Sequence, residues 1–288
     1  NKRLSKRQLE EIVRNKEYSR IPVETRNKIT NSESLKVQDL VPNPILIKNK
    51  NNIEILKNWV ENSDNIVFFG GAGVSTESGV PDFRSENGLY KARQTYGYSP
   101  EEMLSGDFFW NNTETFYNYY KNNLIYPKAK PNDAHKALAK LEQMGKLSSV
   151  ITQNIDGLHQ MAGSKNVFEL HGSIHRNYCT RCRKFHPLEK IMNSDVPYCE
   201  CGGLIKPDVV LYGENLDEQT IEGAINAIAN ADTLIIGGTS LAVYPAAGFI
   251  NYFNGKNLIV INKSETNADS NATLVIREPI GETLKFIL

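Results

Sequence analysis

A chain of 288 residues with 40% apolar side chains can build one large α/β domain, or a large domain with a small companion. No run approaches 18 consecutive apolar residues, so no membrane span is predicted. The opening NKRLSKRQLEEIVRNK lacks the apolar core of a secretory signal, and with Glu10, Glu11 and Glu17 it is too acidic for a transit peptide, so the expected location is cytoplasmic. Net charge is zero overall, but residues 1–50 carry 12 Lys/Arg against 6 Asp/Glu, leaving the rest of the chain at −6. That distribution gives no nucleic-acid footprint and suits a cationic partner.

In chain order, residues 1–50 read as a basic appendage. It holds a helical stretch from about Ser5 to Ser19, a polar run, and VPNPILIKNK punctuated by two prolines. From residue 51 the texture becomes alternating. Ile53, Leu56 and Val60 recur at helical spacing, and NIVFFGG follows as a short apolar run of the kind found in buried parallel strands. Similar runs return at SSVITQN, TLIIGGTS and NLIVIN. Amphipathic segments such as NDAHKALAKLEQMG and EQTIEGAINAIANA lie between them. This rhythm predicts an α/β fold, a Rossmann-like doubly wound parallel sheet. The stretch of about 173–207 breaks the rhythm and holds every cysteine, which makes it an inserted module. The expected division is therefore 1–50 against 51–288, with the dinucleotide-binding part over 51–172 and 208–288.

The first strand ends in Gly70-Gly71-Ala72-Gly73-Val74-Ser75. Glycines there allow a tight turn and bring backbone N–H groups close to a pyrophosphate. The spacing departs from GxGxxG and no acid follows about 20 residues on, so the motif reads either as a nucleotide loop or as a plain turn. Asn262 closes a later strand at the end where α/β sheets bind ligands. The cysteines form Cys179-x2-Cys182-x16-Cys199-x-Cys201 within 23 residues. Two tight thiolate corners fit one tetrahedral, structural Zn2+ with no open position. The second corner is one residue shorter than the usual C-x2-C. His186 stays open as a substitute ligand, and a reactive dithiol is the weaker alternative.

The segments GAGVSTESGVPDFRS, TQNIDGLH, ELHG, PDVVLYGE, GTSL and YPA, in that order, resemble the sirtuins over residues 51–288. The resemblance implies an NAD-dependent protein lysine deacylase of bacterial type. Such enzymes cleave the nicotinamide–ribose bond of NAD and pass ADP-ribose to the carbonyl oxygen of an acylated lysine. By the same resemblance His171 is the general base toward a ribose hydroxyl. Asn154 and Asp156 line the carboxamide pocket, Phe83 shields the sugar carbon, and Arg84 orders the cofactor loop. Gly71, Ala72, Gly73, Ser75, Thr76, Asp82, Gln153, Ile155, Gly238, Thr239, Ser240, Asn262 and Ile280 complete the cofactor contacts. Val210, Leu211, Tyr212, Gly213 and Glu214 form one edge of a peptide clamp and Val243 the other, with the substrate entering as an added strand. Val210 and Phe83 wall the acyl-lysine tunnel. His135, His159 and His175 keep structural readings. Relatives that prefer dicarboxylic acyl groups carry Tyr-x-x-Arg; here Tyr117-Asn118-Tyr119-Tyr120 places tyrosine at the arginine position. The expected substrates are proteins bearing neutral acyl-lysines, acetyl first. Two rival functions remain: ADP-ribosyl transfer or NAD hydrolysis at the same site, and a non-enzymatic NAD-binding module.

Overall fold

The computed structural model describes residues 3–4, 35–36, 44–82 and 93–288. Contacts divide the chain at Ile55/Leu56. In the first unit, β1 (Arg3–Leu4) pairs antiparallel with β2 (Leu35–Lys36). The expected helix around 5–19 lies outside the described residues, as do Phe83 and Arg84.

Helix α1 spans Pro44–Asn62, so helix begins seven residues before the expected boundary at 51. Pro44 is compatible with that start, because a first-turn residue needs no amide hydrogen for the helix ladder. The second unit is built on six parallel strands: β3 (Ile66–Gly70), β4 (Leu147–Thr152), β5 (Val167–Glu169), β9 (Thr233–Gly237), β10 (Asn257–Ile261) and β11 (Leu274–Ile276). Their order is β11-β10-β9-β3-β4-β5. This is the doubly wound order, in which the first strand lies centrally and later strands are added on both sides. The four apolar runs foreseen in the sequence are β3, β4, β9 and β10. The two edge strands β5 and β11 are three residues each, too short for periodicity to mark. Central strands are buried on both faces; Val67, Phe69, Ile151, Leu234 and Ile236 turn toward one core with Ala224 and Ile228 of α8 (Glu218–Asn230). On α5 (Asp133–Gln143) packs α9 (Ile280–Leu284).

The insertion leaves and rejoins the sheet through β6 (Gly172–Cys179) and β8 (Ile205–Val209), antiparallel partners in a three-stranded sheet with β7 (Phe185–His186). Helix α7 (Leu188–Met192) packs on it. Its core is shared with a helical segment that the sequence had placed in the nucleotide-binding part. That segment comprises α2 (Pro100–Met103), α3 (Gly106–Asn111) and α4 (Thr113–Asn123). Phe109, Phe116, Tyr117 and Tyr120 bury against Ile174, Ile191 and Ile205, and the Tyr117 hydroxyl donates to the Ile205 carbonyl. One aromatic core thus joins two chain segments into a small lobe.

Candidate active site and metal centre

The site begins at the switch point. β3 has β4 on one side and β9 on the other, so the chain leaves the C-terminal ends of β3 and β9 toward opposite sides and opens a crevice. Two glycine loops meet there. Gly73 N donates to Gly238 O at 2.8 Å. A methyl added at Gly73 would lie 2.8 Å from Gly238 Cα, and one at Gly238, which has φ +58°, 2.4 Å from Val74 N. Both obstacles are backbone, so the approach requires glycine on each side. The arrangement fits a dinucleotide: bare main chain without side-chain bulk at the C-terminal ends of parallel strands.

Ser75 follows from the β3 loop and is buried. Its Oγ donates to Asp156 Oδ2 at 2.6 Å and accepts from Asn154 Nδ2 at 3.0 Å. The remaining Asp156 oxygen accepts from Leu158 N at the start of α6 (Leu158–Ala162). From the small lobe, Ile174 N donates to Ile155 O at 3.0 Å and His175 Nε2 to Asp156 O at 3.1 Å. The 154–157 loop is therefore held from three directions. His171 sits where β5 passes into β6. Val210 N donates to its carbonyl, and its Nδ1 contacts Gln153 O at 2.9 Å. A carbonyl can only accept, so that contact places the hydrogen on Nδ1 and leaves Nε2 as the basic nitrogen of the neutral ring. Gln153 Nε2 in turn donates to Thr239 Oγ1 at 3.0 Å.

A cavity of about 240 Å³ gathers most of the foreseen residues. Gly71, Ala72, Ser75 and Asp82 line it from the first loop. Gln153, Asn154, Ile155, Asp156 and His171 line it from beyond β4 and β5. Gly238, Thr239, Ser240 and Val243 line it from beyond β9, and Val210, Leu211, Tyr212, Gly213 and Glu214 from the small lobe. Among the described residues, four predicted ones stand apart from the lining. Gly73 packs on Gly238. Thr76 is exposed, its hydroxyl donating to Gly73 O. Asn262 donates to Ser264 O. Ile280 is buried, its side chain under Gly237. Conversely, Leu104, Asn123, Leu124, Tyr126 and Leu216 line the cavity and were not foreseen. Leu124 and Tyr126 follow α4 directly, and Pro127 marks a helix end in the sequence. Only the tertiary approach of the small lobe to the sheet makes them lining residues. Tyr117, Tyr119 and Tyr120 are buried in the small lobe rather than on the lining, and burial raises their phenol pKa values.

Behind Asp156 lies a buried imidazole pair, His135 and His159, with ring centroids 4.7 Å apart. Burial pulls the His135 pKa down to about 4, only partly offset by the Asp156 charge. Burial also drives His159 well below the ordinary range, helped by His135. Both rings are neutral at physiological pH.

The four thiols converge at the far end of the small lobe, each offering a sulfur within 4.8 Å of the others. Cys179 and Cys201 Sγ are 3.4 Å apart, and Cys182 and Cys199 Sγ 3.7 Å. Tetrahedral zinc with Zn–S near 2.3 Å implies S···S separations of about 3.8 Å, so the cluster fits one ion. The Cys182 amide, pointing at Cys179 Sγ, lowers that thiol to about pKa 6. Cys199 and Cys201, crowded by the other sulfurs, are raised, so the cluster needs a cation to hold all four as thiolates. His186 also lies near Cys199 and Glu200, but the four sulfurs alone complete a tetrahedron.

Fold and site together define a dinucleotide-binding α/β protein with a four-cysteine metal module. The Sir2 family model matches residues 71–245. The NAD-dependent protein deacetylase of Clostridium perfringens is 64% identical over 235 residues, covering 81% of this chain and 96% of that protein. The enzyme of the same description from Clostridium acetobutylicum is 59% identical over 239 residues, covering 82% and 98%. A solved Sir2 structure with a p53 peptide and NAD+ superposes with a TM-score of 0.72 at 40% identity, covering 82% of this chain and 96% of that one. The chain belongs to the Sir2 family.

Proposed function

We propose that the protein is an NAD-dependent protein lysine deacetylase, taking the acyl group from lysine onto ADP-ribose and releasing nicotinamide. The observation that carries this reading is the joint placement of His171 and the Ser75-bridged Asn154–Asp156 pair on one cavity whose other walls are the glycine loops and the 210–214 edge. NAD supplies the electrophilic sugar carbon. The chain's own residues bind, orient and move protons around it. Asn154 and Asp156, locked by Ser75, offer a donor and an acceptor to a planar carboxamide. Thr239, Gln153 and Ser240 serve the ribose and phosphate side. His171 Nε2, the nitrogen that the Nδ1 contact leaves without hydrogen in the neutral tautomer, accepts a proton from a ribose hydroxyl. Phe83 and Arg84 keep the roles implied by the family likeness.

Protein substrates enter as an extended strand between residues 210–214 and Val243. Leu211 N and both backbone groups of Tyr212 are engaged within the protein, so Gly213 is the natural pairing point on that edge. Among the described lining residues there is no Lys or Arg, which leaves a dicarboxylic acyl group without a cationic partner and favours neutral acyl groups. Zinc is held by Cys179, Cys182, Cys199 and Cys201 in a structural role. Among the described residues no helix is long and apolar enough to cross a membrane. A cytoplasmic location belongs to the same proposal, because thiolates reserved for zinc must escape oxidation to disulfides. Chain division into an appendage, a nucleotide-binding part and a zinc insertion does too.

Incubation with an acetyl-lysine peptide and labelled NAD tests the reading. Label should appear in O-acetyl-ADP-ribose, with nicotinamide released in step with acetyl loss. Label fixed on protein would identify ADP-ribosyl transfer instead, and free ADP-ribose without deacetylation an NAD hydrolase.

A further inference from the structure

β8 connects the thiol cluster to the cavity in five residues. Ile205 pairs with Cys179 at one end, and Val209 and Val210 form cavity wall at the other. Lys206 lies between them, its side chain 21% exposed. The ammonium turns inward: Nζ donates to Glu214 Oε2 at 3.0 Å and to Val209 O at 3.2 Å, over the Phe109 ring at 5.8 Å. The same Glu214 oxygen accepts from Leu211 N at 2.9 Å, and Glu214 N donates to Leu211 O at 2.9 Å. The 211–214 turn is thus closed twice, by a main-chain bond and by a carboxylate that Lys206 neutralises. Gly213, at φ +87°, supplies the left-handed third position. Tyr212, inside the turn, is fastened to Leu104 O and Gly106 N. Lys206 itself is not on the cavity lining.

We infer that Lys206 is a positioning residue for the peptide-receiving edge. Through Glu214 it holds the 211–214 turn in the shape that accepts the acyl-lysine strand, and so sets peptide affinity without touching the dinucleotide side. A half-buried carboxylate deprived of its cation gains by swinging to water. That motion would release Leu211 N and loosen the turn. Among the described residues, the side chains of this pair bond only within 206–214. The inference rests on the deacetylase reading.

Steady-state kinetics on the full chain test it, with acetyl-lysine peptide and NAD varied separately and zinc content measured on each preparation. Lys206→Met keeps the aliphatic stem on Phe109 but removes the ammonium. It should raise peptide KM about tenfold, the loss of one charge-assisted contact, with kcat, NAD KM and zinc content close to the parent. Glu214→Gln should also raise peptide KM, and the double variant should be no worse than Lys206→Met alone, because the two groups act as one unit. An unchanged peptide KM in Lys206→Met, a rise shared equally by NAD KM, or multiplicative effects in the double variant would each overturn the inference. Should Lys206→Met fail to fold, Glu214→Gln decides: a parent-like peptide KM refutes the idea. A parent enzyme without deacetylation would sink the underlying reading instead, so the two failures are distinct.

Discussion

The buried imidazole pair makes acid stability the most quantitative test of this structure. His135 occupies the third position of α5, and the Asn132 amide donates to its Nδ1 at 3.2 Å. The ring is fully buried, with its pKa held near 4 by desolvation, against about 6.5 in an unfolded chain. A lowered folded value means that the unfolded state binds the proton first. Stability is therefore complete above about pH 6.5 and is lost as pH falls toward 4. At pH 5 the unfolded imidazole is almost wholly protonated and the folded one about a tenth, which costs about 2 kcal/mol relative to pH 7.5. For a chain of this size that is a fall in Tm of roughly 4–8 °C. His159, lowered for the same reason, adds a further loss of the same sign. Glutamine at the third helical position can still accept from the cap amide but cannot titrate. His135→Gln should therefore lower stability at neutral pH and flatten its fall between pH 7.5 and pH 5 by about 2 kcal/mol. Thermal or urea unfolding of both proteins at the two pH values measures it. Acid release of zinc affects both equally and cancels in the comparison. Parallel pH dependences in parent and variant would refute the argument.

Ser75→Ala removes the hydroxyl that joins Asn154 to Asp156. It should cut kcat/KM for NAD by roughly ten- to a hundredfold while the melting temperature changes little, as steady-state assays and melts would show. Gly238→Ala forces a methyl onto Val74 N at a left-handed φ and should cost about 1–3 kcal/mol and abolish NAD binding measured by calorimetry. Cys201→Ser removes one of four metal ligands, so elemental analysis should find zinc well below one per chain and melting should occur at a lower temperature. With no cation on the described lining, succinyl-lysine peptide should be turned over at least about a hundredfold less efficiently than its acetyl counterpart; comparable rates by mass spectrometry would contradict that.

The parts legible in the sequence are those where one residue type answers one local demand. Glycine at 73 is needed where two main chains touch. Four cysteines in 23 residues can hardly do other than meet, and apolar runs such as 66–70 announce central strands buried on both faces. That Ser75 bridges two residues about 80 positions away was not legible, because hydrogen-bond partners across a sheet leave no spacing to count.

The packing of the small lobe was not legible for a related reason. Its helices at 100–123 are aromatic and amphipathic like any helix lying on a sheet. Nothing local says that Phe109 and Tyr117 face Ile205 rather than β3. That pairing has a mechanistic consequence. The cavity's far wall, Leu104, Asn123, Leu124 and Tyr126, belongs to the lobe that carries the metal, while His171 stands at the strand leading into it. The 210–214 edge and the glycine loops thus line one cavity from different cores, and His171 stands where β5 passes into β6 between them. Changes in the aromatic core, such as Phe109→Ala, should then disturb peptide KM before NAD KM. Equal effects on both constants would show that the lobe does not serve the peptide edge in particular.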